Sequence, residues 1–209
     1  MKAMLAACLA AFLIGPLTAT ETYRGFTLVD REVGNLPNHD EYLAAMREQV
    51  DIVHSVGLPA DILKFLQTVK LELLPAGAFK SPTPGRYTGR REQSVHMAVT
   101  IIPARHKPVL LHELMHAYHD QRIEDGFKNA LILDAFKKAG KLSVYAPRSH
   151  MMANAQEYFA CAATTYLFGV TAQEPFKRDK VREHQPDFHV YLKKLFGPAA
   201  GSFAGSPAP

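Results

Sequence analysis

A chain of 209 residues with 47% hydrophobic and 21% charged side chains has the size and composition of one globular domain with a sizeable core, which sets aside fibrous and low-complexity classes. The formal charge of +4 comes without any stripe of Lys and Arg interleaved with aromatics, so nucleic acid is not an expected partner. Of the two cysteines, Cys8 falls in an apolar leader and Cys161 stands by itself in the remainder, so no internal disulfide can form there.

The leader comes first. Lys2 supplies a short positive region, residues 3–17 are almost wholly apolar, and Leu17-Thr18-Ala19 ends on a small residue suited to cleavage, so residues 1–19 read as a secretory signal peptide. The apolar run is shorter than the roughly 20 residues a bilayer span needs and is broken by Gly15-Pro16, so no stable membrane insertion is expected once it is removed. Leu5-Ala6-Ala7-Cys8 has the look of a lipoprotein box, but the hydrophobic stretch before it is too short. Cleavage near Ala19 removes one charged residue, Lys2, and lowers the formal charge from +4 to +3.

Within residues 39–56, Leu43, Met46, Val50 and Val53 recur at helical spacing, with acids near the start where the helix dipole favours them. Gly57-Leu58-Pro59 ends that helix, and a second short one is expected over 61–69. Residues 69–74 alternate apolar and charged, as in a half-buried strand. Residues 82–91, rich in Gly, Pro and Arg, read as a loop around Tyr87; residues 95–102 then form a β-branched strand closed by Pro103. A helix opens at Pro108 and runs to about Arg122. Another spans 127–139 with Phe127, Leu131, Ala135 and Phe136 on one face, and a loop over 141–153 leads to a helix over 154–168 that Gly169 stops. A last short helix covers 187–196, and 198–209, almost all Ala, Gly, Ser and Pro, reads as a disordered tail. The expected organisation is a signal peptide (1–19), one α+β domain (20–197) with a short mixed sheet, and a tail (198–209).

Chemistry concentrates in His112-Glu113-Leu114-Met115-His116. Two imidazoles one helical turn apart share a face and can reach one metal ion, and the glutamate between them can take a proton from the metal's water. Zinc held by two histidines needs a third protein ligand and keeps a fourth position open. Positions 119 and 122 are His119 and Arg122, which excludes the class that places a third histidine six residues beyond the second. Glu157 is the better donor: a carboxylate on an otherwise apolar helix needs a partner, and Ala160, Ala162 and Ala163 allow that helix to pack closely. A salt bridge to a basic residue is the competing use of Glu157. Asp120 reads as a solvated helix-end acid, with orientation of a ligand imidazole as its alternative. His119 reads as a surface residue, Cys161 as a small buried apolar residue on the Glu157 face, and His96 and Tyr87 as possible lining of a substrate cleft.

The motif, a helix like 127–139, Tyr145, the run Glu157-Tyr158-Phe159-Ala160, and an ending like Pro186-Asp187-Phe188 with Leu195-Phe196-Gly197 together resemble the lethal-factor-type gluzincin peptidases, over about residues 69–197. The resemblance implies one zinc ion bound by His112, His116 and Glu157, with Glu113 as general base and Tyr145 facing the scissile carbonyl. Where that family commonly carries an acid one turn after the ligand glutamate, this chain has Cys161. Tyr145 also lies farther upstream of Glu157 than in that family, and His150 is the alternative group for the oxyanion. The activity implied is hydrolysis of a peptide or protein substrate outside the cytosol, with the strand over 95–102 as an edge on which an extended substrate could pair. Two other readings stand beside it: a zinc-binding module that recognises a protein partner without turnover, and an interaction protein with an accidental motif. The intact Glu113 argues against the first, because ligation alone does not need it.

Overall fold

The computed structural model describes residues 20–80, 83–98 and 107–199. The signal-peptide segment, the end of the strand expected over 95–102, and the tail from residue 200 lie outside them. The described residues form an α+β domain of seven helices and one five-stranded mixed sheet. In chain order these are β1 (Thr20–Tyr23), β2 (Phe26–Val29), α1 (His39–Ser55), α2 (Ala60–Leu66), β3 (Lys70–Leu73), β4 (Gly85–Tyr87), β5 (Ser94–Met97), α3 (Val109–Arg122), α4 (Ala130–Leu142), α5 (Ala155–Phe168), α6 (Arg178–His184) and α7 (Pro186–Phe196).

The sheet runs β1-β2-β3-β5-β4. β1 and β2 are an antiparallel hairpin whose two-residue turn, Arg24-Gly25, has positive φ at both positions, the backbone that matches strand twist. β2 pairs with β3 and β3 with β5 in parallel, and β4 returns antiparallel to β5. Two sequence expectations change here. Residues 85–87 of the presumed loop pair as a strand, and β5 is interior, flanked on both sides, so the edge facing the helices is β4 rather than the 95–102 strand.

α1 buries Tyr42, Met46, Val50 and Val53, so its periodicity did mark a core face, although Leu43 is only half-buried. Its buried Gln49 has a second use. The side-chain amide donates to the Lys107 carbonyl and its oxygen accepts the N–H of Leu110, both at 3.0 Å. Pro108 gives α3 no side-chain cap, so Gln49 satisfies an N–H that would otherwise be orphaned at the helix start. α3 is therefore tied at its N-terminus to α1, and it packs along its length on α5. Every residue of α3 from Leu110 to Asp120 is buried. Ala160, Ala162 and Ala163 of α5 are fully buried, as small residues at a close helix contact should be. Asn154 caps α5 by accepting the N–H groups of Gln156 and Glu157 at 2.9 Å, and Gly169, with φ of 101°, ends it. The helix over 127–139 is replaced by a 3-10 turn (Gly126–Lys128) and α4, whose buried face is Ile132, Ala135 and Ala139; Leu131 is exposed.

Candidate metal centre

The packed interface of α3 and α5 holds polar groups that hydrocarbon neighbours cannot satisfy. His112 and His116, one turn apart on α3, bring their Nε2 atoms to 3.1 Å with ring planes nearly perpendicular. From α5, Glu157 places Oε2 3.1 Å from His112 Nε2 and 3.3 Å from His116 Nε2. A tetrahedral zinc with bonds near 2.0–2.1 Å separates its ligands by about 3.3 Å, so these three atoms already stand near the corners of one face of such a polyhedron. All three residues could hold one metal ion. Two nitrogens and a carboxylate oxygen converging on one point, with both histidines over nine-tenths buried, are a donor set that suits a cation. Burial raises the pKa of Glu157, but the imidazoles of His112, His116 and His150 outweigh it and hold the carboxyl well below the usual carboxylate range.

Glu113 is rotated by about 100° of helix from His112 and does not join the triangle. Its Oε2 accepts the backbone N–H of Tyr87 at 2.9 Å, so the edge strand β4 holds its carboxylate in place. That approach is close enough to require glycine at residue 85. A Cβ there would lie 2.9 Å from Glu113 Cγ, 2.9 Å from Met97 Sδ and 3.1 Å from Val109 Cγ1.

The two candidates for the oxyanion separate clearly. His150, in a 3-10 turn (His150–Met152), lies with Nε2 2.8 Å from Glu157 Oε2 and its ring 5.6 Å from that of His112. Its hydrogen bond to Glu157 holds its pKa above the ordinary imidazole value, against the opposing effect of burial. About half of the side chain is exposed, so it is open to the cleft. Tyr145, expected to face a scissile carbonyl, is instead 2% exposed, packed against Tyr158 with Lys180 over its ring, and lines none of the cavities at the triangle. The loop between residues 146 and 153 carries His150, not Tyr145, to the site.

Other side chains depart from their sequence readings. Asp120 is neither solvated nor bonded to an imidazole. It is buried, accepts from Arg90 Nε at 2.8 Å and from the Tyr87 hydroxyl at 3.0 Å, and the Arg90 guanidinium also reaches its carbonyl. This network fastens the β4–β5 turn to the end of α3. His119 is not at the surface but fully buried between Phe127 and Phe159, where burial lowers its pKa to about 4. His96 sits 3.3 Å from Glu72 across the sheet and does not line the cleft, whereas Tyr87 does. Cys161 is buried as expected, and its sulfur lies 4.0 Å from Nδ1 of His112, on the side away from the triangle. Burial pushes its thiol pKa up.

Two cavities meet at the triangle and share Thr83, His112, Glu113 and His150. One, of about 450 Å³, continues past Arg86, Tyr87, Thr88 and Gln156; the other, of about 350 Å³, extends between Pro84, Lys107, Val109 and Thr164. The cleft thus runs to both sides of the candidate metal position.

No protein-family model matches the chain, and no curated protein matches it. Among solved structures, the fold is similar to that of the PRO-PRO endopeptidase PPEP-2 from Paenibacillus alvei, with a TM-score of 0.54 and 20% identity over 81% of this chain and 96% of that one. At that identity the likeness is one of fold.

Proposed function

We propose that the chain is an exported zinc metallopeptidase of the lethal-factor gluzincin type, with His112, His116 and Glu157 as metal ligands and Glu113 as general base. The observation that carries this reading is the triangle of His112, His116 and Glu157 donor atoms, 3.1–3.3 Å on a side, in a cleft that also contains Glu113. The shared fold with an endopeptidase supports it. Zinc bound there would supply a Lewis acid for the scissile carbonyl and a water acidified towards a pKa of about 7. Glu113, kept in place by the Tyr87 N–H, takes the proton from the attacking water and returns it to the leaving amine. His150 donates to the oxygen that becomes negative as the carbonyl is attacked. A cleft open on both sides of the centre suits an internal peptide bond, with the bond itself over the triangle. Among the described residues no helix is long and apolar enough to cross a membrane. Residues 1–19 serve as the signal peptide, and the secreted chain begins at or near Thr20.

The test is Glu113→Gln. The amide keeps the size and can accept the Tyr87 N–H, but it cannot take a proton, so zinc content should persist while peptide hydrolysis falls by about 10²- to 10⁴-fold. Hydrolysis at the wild-type rate by the zinc-loaded variant overturns the general-base assignment. If the zinc-loaded wild type cleaves nothing in a broad peptide library, the centre serves recognition instead.

A further inference from the structure

His150 reaches the triangle from a loop, so its placement depends on what holds that loop. Its contact at the site is with Glu157 Oε2 at 2.8 Å, the oxygen that the peptidase reading gives to zinc, so this bond alone does not fix the ring in the loaded chain. The backbone that carries the imidazole is anchored on either side of it. Met151 is fully buried, and Tyr145 is buried against Tyr158. The Tyr145 hydroxyl has no hydrogen-bond partner among the described residues, so that side chain anchors by packing. A hydrogen-bonded anchor lies one residue on. Ala146 N–H donates to Glu174 Oε1 at 3.3 Å, and the Ala146 carbonyl accepts the Ser149 N–H at 2.9 Å, closing the turn that presents His150. Glu174 belongs to the segment between α5 and α6, where Val170 bridges to Lys177 and Thr171 N–H donates to the Phe176 carbonyl at 2.8 Å. Just before it, Thr171, Ala172 and Gln173 line the smaller cavity beside the triangle. Glu174 is 7% exposed, and Lys180, in the first turn of α6, donates to both of its oxygens, at 3.0 and 2.8 Å; the same ammonium stands 5.5 Å from the centre of the Tyr145 ring. Taking two charges out of water is costly, and a buried pair of this kind often adds little net stability. What this pair does provide is a fixed meeting point for the His150 loop, the cavity wall and α6.

We propose that Glu174 is a positioning residue for His150: it ties the loop that carries the imidazole to the segment that lines the cleft, and Lys180 keeps its carboxylate turned inward to do so. This rests on the peptidase reading above, in which His150 donates to the developing oxyanion. A reacting group displaced by about 1 Å can lose on the order of 10² in rate, so the tether acts on the chemical step and leaves the metal ligands as they are. Without Lys180 the Glu174 carboxylate would be buried and unpaired, and it would turn to water and release Ala146. A carboxamide in its place is neutral and keeps a carbonyl oxygen, so it can stay and accept the Ala146 N–H.

The experiment is a double-mutant cycle on the zinc-loaded chain with a cleaved peptide, pairing Glu174→Leu with His150→Phe and reading kcat, KM and zinc content. Glu174→Leu should lower kcat by about tenfold in the wild-type background, at unchanged zinc content and with KM within about twofold, and by less than about twofold once residue 150 is Phe. Glu174→Gln should retain most of the wild-type kcat, whereas Lys180→Met should lower it by about three- to tenfold, again only while His150 is present. Lys180→Met lies on a different element and carries the same cycle if Glu174→Leu fails to fold. Hydrogen exchange reads the tether without turnover: in Glu174→Leu the amides of residues 145–150 should exchange about tenfold faster while those of α3 do not change. Wild-type kcat in Glu174→Leu, equal losses in both His150 backgrounds, or unchanged exchange over 145–150 overturns the proposal and leaves the peptidase standing. Absence of any cleavage by the zinc-loaded wild type overturns both.

Discussion

Gly85→Ala probes how the edge strand holds Glu113, the proposed general base. The added Cβ would meet Glu113 Cγ and Met97 Sδ at 2.9 Å and Val109 Cγ1 at 3.1 Å, against ordinary contact that begins at 3.4 Å. Relief requires β4 and α3 to part by about 0.5 Å, since only Met97, with its flexible thioether, can swing away cheaply. Overpacking of this kind typically costs about 1–3 kcal/mol in stability, which for a domain of this size lowers Tm by roughly 2–4 °C per kcal/mol. The same separation stretches the 2.9 Å bond from Tyr87 N–H to Glu113. A hydrogen bond to a charged group contributes about 1.5–3 kcal/mol, and losing it from the base while the metal ligands stay in place should reduce kcat by about 10- to 100-fold. The atoms nearest that Cβ belong to Glu113, Met97 and Val109 and none to His112 or His116, so zinc stoichiometry should hold. The assay is steady-state kinetics on a cleaved peptide, with elemental analysis and a thermal melt of the same sample. A fully zinc-loaded variant with wild-type kcat would refute the claim that β4 positions Glu113. A fall in kcat that merely tracks lost zinc would place the defect in the triangle instead.

Glu157→Ala removes one corner of the triangle and should weaken zinc binding by at least about 10- to 100-fold in a competition titration; undiminished affinity would remove Glu157 from the ligand set. His150→Phe should lower kcat by about 10- to 100-fold with little change in zinc content, whereas Tyr145→Phe, in a buried ring that does not line the cleft, should leave kcat within about twofold; the reverse order would restore Tyr145 as the oxyanion donor. His119 makes stability depend on pH. Its folded pKa of about 4 lies below the ordinary 6.5, so the unfolded chain binds the extra proton between these values. Stability from this group is complete above about pH 6.5 and falls by up to about 3 kcal/mol as pH drops to about 4. Urea midpoints across that range should lose this part of their slope in His119→Phe, which keeps an aromatic between Phe127 and Phe159; an identical slope in the variant would mean that His119 titrates freely.

Helical period and capping chemistry are local, and they carried much of the domain. α3 could be placed because the spacing of its histidines and apolar residues is the period of a helix, and the end of α5 because Gly169 is a stop signal whose chemistry acts within a turn. His112 and His116 stand out in the sequence by their spacing of one helical turn, and Glu157, which the fold brings beside them, by being a carboxylate on an otherwise apolar helix. Several short elements escaped, although β3 and α2, of four and seven residues, did not. β1 and β2 are four residues each, α6 is seven, and β4 is three residues inside a Gly- and Pro-rich stretch, so none has room to show a period. Tertiary structure alone decided which polar residues are buried. Asp120 and His119 follow the motif as any helix end might, but Arg90 and Tyr87, some thirty residues earlier, cover the first, and Phe127 and Phe159 enclose the second. The nearness of His150 rather than Tyr145 to the triangle, the Tyr87 N–H on Glu113, and the unpartnered Thr164 hydroxyl belong to the same class. Each depends on where a loop or strand far away in the chain comes to rest, and chain closure over such distances leaves no pattern in the residues themselves.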